Sequence, residues 1–277
     1  MDRVPVAFIE EVLLMIDYVS HWVKAGEAKK LSSNWGEMAK RKSSKKEVRL
    51  NVYLTNDKEA VFSVTHYYRN VPLVDLDKVI VDNMCVKDGE EAEAEEQYHP
   101  LTEANFQLLR RHLSRGNPCT IELECKERQR HPLLQQLCLA PTRLSRIRLF
   151  HEMPIPVEAL TRSVKRGTLR WFGSDSSLKI TPEVHSALLK FVASNQMDHM
   201  SFEVQEDSPV SYETLLAGVV YAFLSGQKTE GFHFFVDSDT SEIVAPLREV
   251  GMQNNVEFVA ARRCYINVFR KERQRRV

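Results

Sequence analysis

Thr120-Ile121-Glu122-Leu123-Glu124-Cys125, Arg146-Ile147-Arg148-Leu149-Phe150, Thr168-Leu169-Arg170-Trp171-Phe172, Met200-Ser201-Phe202-Glu203-Val204, Phe232-His233-Phe234-Phe235-Val236 and Tyr265-Ile266-Asn267-Val268-Phe269 are six stretches of one kind. Apolar residues recur in them at the period of a β-strand. They begin two to three dozen residues apart, enough for one strand, one helix and two turns, as in leucine-rich or related α/β arrays. Helical spacing fills the gaps, predicting helices over 102–114, 132–139, 154–164, 181–194, 211–224 and 240–250.

Local signals agree with these boundaries. Thr181-Pro182-Glu183 places a capping hydroxyl before a first-turn proline, and Ser211-Tyr212-Glu213 and Thr240-Ser241-Glu242 put carboxylates near a helix N-terminus. Gly116, Gly167, Gly226 and Gly251 stand where the helices should stop. Strands that alternate with helices pair in parallel through right-handed crossovers, so the expected body is an open, curved α/β sheet with flanking helices, or a short solenoid. Which sheet face is wet does not follow from the pattern. The aromatic residues at strand spacing, Trp171, Phe172, Phe232, Phe234 and Phe235, are expected in the core, and any that point outward are candidate anchors for a partner.

Upstream the pattern changes. Residues 48–54 and 60–66 alternate across the polar turn Thr55-Asn56-Asp57-Lys58-Glu59 and predict a β-hairpin, with a further strand within 77–86. The stretch 88–97 has six acidic residues and no apolar period, and is expected to be a solvated, flexible acidic loop. Residues 5–23 carry Phe8, Ile9, Val12, Leu13, Ile16, Val19 and Val23 at helical spacing, with Pro5 in the first turn where a missing N–H costs nothing. A second short helix is expected from Trp35 to Arg41, ending in the basic tract 40–46. The expected organisation is therefore a helical module over 1–45 and an α/β repeat-like, substrate-binding body over 46–277.

Composition narrows the function classes. The chain has 277 residues, 43% of them hydrophobic, and 38 basic against 38 acidic side chains. It can bury a core, and no global field draws it to nucleic acid or anionic lipid. Five scattered cysteines set in apolar runs, with no secretory pattern at Met1-Asp2-Arg3-Val4-Pro5, suggest a reduced protein of the cytoplasm or nucleus. The longest apolar run, 215–224, is about half the ~20 residues a membrane span requires.

Catalytic patterns are sparse. Phe234-Phe235-Val236-Asp237-Ser238-Asp239-Thr240 ends an apolar strand in two aspartates, resembling the nucleophile strand of haloacid-dehalogenase-type phosphatases. There one carboxylate attacks phosphorus while magnesium neutralises charge. A strand-end turn with Asp239 near a helix cap explains the same residues. No Cys-x-x-Cys pair, His-Glu-x-x-His or phosphate loop occurs, so no metal or cofactor is expected and the chain reads as a non-enzyme. The basic tracts 40–46 and 270–276 read first as solvated ends, with nuclear import or phosphate contact as the alternative.

Val4-Pro5-x-x-Phe8-x-x-x-Val12-Leu13-x-x-Ile16, followed by Leu31-Ser32-Ser33-Asn34-Trp35-Gly36-x-x-Ala39, resembles an F-box, most closely the divergent F-box proteins expanded in some invertebrate lineages. The resemblance covers about 40 residues. It implies an adaptor that docks on a Skp-type protein and, through it, on a cullin ubiquitin ligase, while the remaining chain holds a protein substrate. By that resemblance Pro5, Phe8, Val12, Leu13 and Ile16 would face Skp, and Trp35 would close the small bundle. The physical logic is an apolar helix stripe that so small a module cannot cover alone. Three other readings stand beside it: an N-terminal helix that only caps the first repeat, a repeat scaffold with no ligase link, and a magnesium-dependent phosphatase using Asp237 and Asp239.

Overall fold

The computed structural model describes residues 4–5, 8–9, 12–13, 29–55, 59–89, 97–125, 132–152 and 154–225, with the strand backbones at 232–235, 256–261 and 265–270. Its centre is a mixed sheet of 12 strands. A hairpin opens it, β1 (Lys46–Leu54) with β2 (Ala60–His66), and the two-residue β3 (Arg69–Asn70) folds back on β2. A 3₁₀ turn (Leu73–Lys78) then carries the chain to β4 (Val79–Asp88), which lies parallel to β1 on its other side. The short β5 (His99–Pro100) pairs with β2.

From β4 onward the units wind in one direction. Helices α2 (Glu103–Leu113), α3 (Pro132–Leu139), α4 (Val157–Lys165), α5 (Pro182–Ala193) and α6 (Tyr212–Ser225) alternate with β6 (Cys119–Glu124), β7 (Leu144–Leu149), β8 (Trp171–Leu178), β9 (His199–Val204) and β10 (Phe232–Phe235). Each strand lies parallel beside the one before it, so the order β4-β6-β7-β8-β9-β10 never reverses. Crossovers of one hand that never reverse direction put the connecting helices α2 to α6 on the same face.

Burial records that one-sidedness. Ile121 and Leu123, Ile147 and Leu149, Phe172, and Met200 and Phe202 join one continuous core with Leu109, Leu137, Leu160, Leu188, Phe191, Leu216 and Phe223 of the helices. Residues of the opposite parity on the same strands, among them Thr120, Glu122, Arg146, Arg148, Trp171, His199 and Glu203, keep contact with solvent. The helix ends follow their local chemistry: Thr102 and Thr181 hydroxyls accept from the N–H of Asn105 and Val184, and Gly116 and Gly167 take positive φ beyond α2 and α4.

Several expectations are corrected. The strand near 267 continues no parallel run: β12 (Tyr265–Arg270) is antiparallel to both β10 and β11 (Val256–Ala261), and β11 is a strand the α/β rhythm did not predict. Asp88 belongs to β4, so the acidic segment starts later than expected, and its residues 90–96 lie outside the described ones, as do helix 240–250 and most of helix 5–23. The short helix expected from Trp35 is longer, α1 (Asn34–Ser43), and the strand body begins at Lys46.

The β2–β3 turn is costly backbone. His66 pairs with Arg69, so Tyr67 and Tyr68 are the two central residues, with φ of 45° and 66°. Positive φ at both positions is the primed turn that favours Asn-Gly, and bulky side chains are disfavoured there. Both tyrosines are exposed and little is lost by removing them. The double substitution Tyr67→Asn, Tyr68→Gly is expected to raise stability by about 1 kcal/mol, read as a higher urea midpoint at unchanged m-value.

Candidate partner-binding face

The N-terminal residues divide into an inner and an outer set. The N–H groups of Phe8 and Ile9 both reach the Pro5 carbonyl, at 3.0 and 3.2 Å, starting the helical turn at the proline. Ile9, Leu13 and Ala39 are buried together, with Val4, Trp35 and Met38 packed around them, in a cluster separate from the main core. Phe8 is 56% exposed, Pro5 is exposed and Val12 is partly so. Leu13 is therefore a core residue of the small module and not a free contact, a correction to its expected place on the Skp-facing side. Trp35 closes the cluster from its edge. Ile16 lies outside the described residues, as do Asp237 and Asp239.

On the sheet, strand register lines up the residues opposite the helices. One row across β1, β4, β6, β7, β8 and β9 reads Arg49, Asn83, Thr120, Arg146, Trp171 and His199. The next row reads Asn51, Cys85, Glu122, Arg148, Gly173 and Ser201. At the hairpin end this face is closed: Asn51 is buried and donates from Nδ2 to the hydroxyls of Ser63 and Thr65, each at 3.4 Å, and Tyr53 meets Tyr98 edge to face. From β6 to β9 it reaches solvent: Arg146 and Glu203 are exposed, Thr120, Glu122, Arg148, Trp171, His199 and Ser201 are half-buried, and Gly173 is buried.

A charge-balanced cluster sits at the β1–β4–β6 part of the row. Arg49 Nη2 lies 2.8 Å from Glu122 Oε2 and 3.6 Å from Glu124 Oε1, and Lys87 Nζ is 3.1 Å from Glu124 Oε2. Cys85 Sγ donates to Glu124 Oε1 at 3.2 Å. Burial pushes the Cys85 thiol up to about 12, which favours its protonated form at neutral pH. Burial opposes the charge on Arg49, and its acidic neighbours, the carboxylates of Glu122 and Glu124 among them, outweigh that and hold the guanidinium above its ordinary value. The ligand atoms of Cys85, Glu122 and Glu124 lie within 4.8 Å of one another. Two cations already neutralise both carboxylates, so a metal ion would have to displace them. The described cysteines Cys85, Cys119, Cys125 and Cys138 are buried and form no disulfide with one another, and Cys119, Cys125 and Cys138 belong to the main core.

The β7–β9 part is different in kind. The Arg146 guanidinium lies over the Trp171 ring, 5.4 Å from its centroid, and the indole in turn stacks on the His199 imidazole at 5.3 Å with planes 3° apart. Glycine at 173 permits this: a Cβ there would come within 2.5 Å of Trp171 Cη2 and 2.9 Å of the Ser201 carbonyl oxygen. Arg148 covers the Phe150 ring at 4.2 Å and reaches Asp175 Oδ2 at 2.9 Å. No family model matches this chain, and neither does a curated protein or a solved structure. Among the described residues no helix is long and apolar enough to cross a membrane.

Sequence reasoning had Trp171 in the core with Phe172, because adjacent aromatics in one strand read alike. The signal that separates them is parity. Arg146 and Arg148 flank apolar Ile147, and polar companions on one parity mark the wet side on which Trp171 falls.

Proposed function

We propose that this chain is a non-catalytic protein-recognition subunit, whose N-terminal helical module docks on a Skp-type adaptor of a cullin ubiquitin ligase and whose open β6–β9 face holds a protein partner. The observation that carries the recognition half is the one-sided winding of the helices, which leaves a sheet face where an arginine lies over a tryptophan that stacks on a histidine, all in one row. Aromatic and arginine side chains held rigid on a surface are the residues that anchor protein interfaces. A thiol held protonated and carboxylates already paired with cations favour binding over catalysis on this face.

The ligase half rests on the F-box resemblance and on the division of the N-terminal stripe. Ile9 and Leu13 pack on the module's own second helix, and Phe8 remains outside. An exposed phenylalanine beside an exposed proline is the apolar surface that a partner groove would cover. A helix that merely capped the first repeat would instead lay Phe8 against the sheet body.

Co-purification of the full chain with a Skp-type adaptor tests this. Phe8→Asp is expected to abolish the association, and to leave the unfolding free energy within about 0.5 kcal/mol of the parent because the side chain is solvent-exposed. Association that survives the substitution would defeat the ligase reading and leave a stand-alone recognition scaffold.

A further inference from the structure

The row on β7, β8 and β9 also carries information about what it binds, and this inference rests on the recognition reading above. The whole chain is electrically neutral, but the segment 143–170, which forms β7, α4 and the approach to β8, has seven Lys or Arg and two Glu, a surplus of five positive charges. Most of those cations have work inside the molecule. Arg148 holds Asp175 and Arg170 lies 3.6 Å from Asp198. Arg162 donates to the carbonyls of Leu139 and Pro141, and Arg166 donates to that of Thr142. Arg146 differs: it is exposed, has no carboxylate partner among the described residues, and its guanidinium carbon lies over the Trp171 ring.

A guanidinium over an indole ring is attracted through its charge and still offers N–H donors, and those donors match the two oxygens of a carboxylate. The indole beside it offers an apolar surface within reach of the next side chain of the same ligand. We propose that Arg146 and Trp171 together anchor an acidic protein segment, one that presents an Asp or Glu to Arg146 and a neighbouring apolar side chain to Trp171. His199 backs the indole and fixes its plane.

The surrounding charges favour such a segment over nucleic acid. Glu122 and Glu124 lie on β6 to one side, and the exposed Glu203 lies on β9 to the other. A phosphate backbone crossing the sheet would meet the exposed Glu203 on one flank and cations already paired with Glu122 and Glu124 on the other, with Arg146 the one arginine of this row that lacks a carboxylate partner among the described residues, whereas nucleic-acid grooves track the backbone with a run of cations. One carboxylate flanked by apolar groups fits between them.

The test pans a random peptide display library against the full-length chain, then measures the enriched peptides by titration against the parent, Arg146→Gln and Trp171→Ala. A single-stranded RNA oligonucleotide is titrated alongside. Both substituted side chains touch solvent, and circular dichroism melts check that each variant keeps the parent fold. The expected result is enrichment of sequences with Asp or Glu beside an apolar residue, and at least a roughly tenfold loss of affinity in each variant. Replacing the peptide's acidic residue by its amide should cost as much as Arg146→Gln and add little to it. Peptides without a carboxylate that still depend on Trp171 would overturn the acidic preference and leave the recognition face standing. Acidic peptides indifferent to both variants, no enriched peptide, or RNA bound in preference would overturn the proposal. None of these outcomes bears on the adaptor test, which reads Phe8.

Discussion

Replacing Phe172 by alanine should destabilise the fold by about 3–5 kcal/mol, while the same truncation at its neighbour Trp171 should cost about 1 kcal/mol. Phe172 has no solvent exposure and meets Phe202 edge to face at 5.7 Å. In register it stands between Ile147 of β7 and Met200 of β9, at the midpoint of the parallel run. Removing its ring leaves a cavity walled by strands on both sides and by helices above, where collapse is resisted and the cost lies at the upper end of the range. Against a typical domain stability of roughly 5–15 kcal/mol this is a large fraction. Trp171 loses stacking with Arg146 and His199 but leaves no sealed void. Urea denaturation of both variants at matched m-value measures the contrast. Equal losses would mean that both faces of β8 are covered, and the open face would no longer be available to a partner.

Much of the body was legible because each unit declares itself locally. Thr181 caps α5 where its hydroxyl predicts, and Gly116 and Gly167 follow α2 and α4 with the positive φ that a side chain resists. The strands β6 to β9 fall within a few residues of their expected centres for the same reason: short apolar alternation bounded by breakers. What failed was non-local. A strand's period reveals that one face is buried but not which neighbour it pairs with, so β11 and the antiparallel placement of β12 could not be read from a rhythm that predicted another parallel unit. The candidate face was hidden for a related reason. Trp171 and Phe172 are equivalent to any count of aromatics, and the parity that separates them shows only when β8 is set in register beside β7, where Trp171 meets Arg146 and Phe172 meets Ile147.

Asp82→Asn should stabilise the protein at neutral pH, by an amount on the order of 1–3 kcal/mol, and the gain should vanish near pH 4. β4 carries an irregularity here: Val81 pairs with Val48 and Asn83 with Arg49, leaving Asp82 as the extra residue of a bulge. Burial raises its carboxyl to about 6, the nearby Glu47 adds to the rise, and backbone N–H groups of Asp82 and Asn83 with Arg49 only partly oppose it. Above pH 6 the folded state thus holds an ionised carboxylate in a site that resists it. Between about 6 and the ordinary carboxylate range near 4 the folded state takes up its proton before the unfolded chain does, so this group makes the protein more stable as pH falls. Asparagine keeps an oxygen to accept the two backbone N–H groups and is never charged, which removes both the penalty and the slope. His112 acts the other way in the same window: burial lowers its pKa, with Arg115 adding, so acidification favours the unfolded chain. The measurement is therefore the difference between parent and variant, followed by urea denaturation from pH 7.5 to 4, in which the His112 contribution cancels because Asp82 is not among the groups that perturb it. A difference that stays constant across that range would assign the effect to packing at the bulge and refute the buried-charge account.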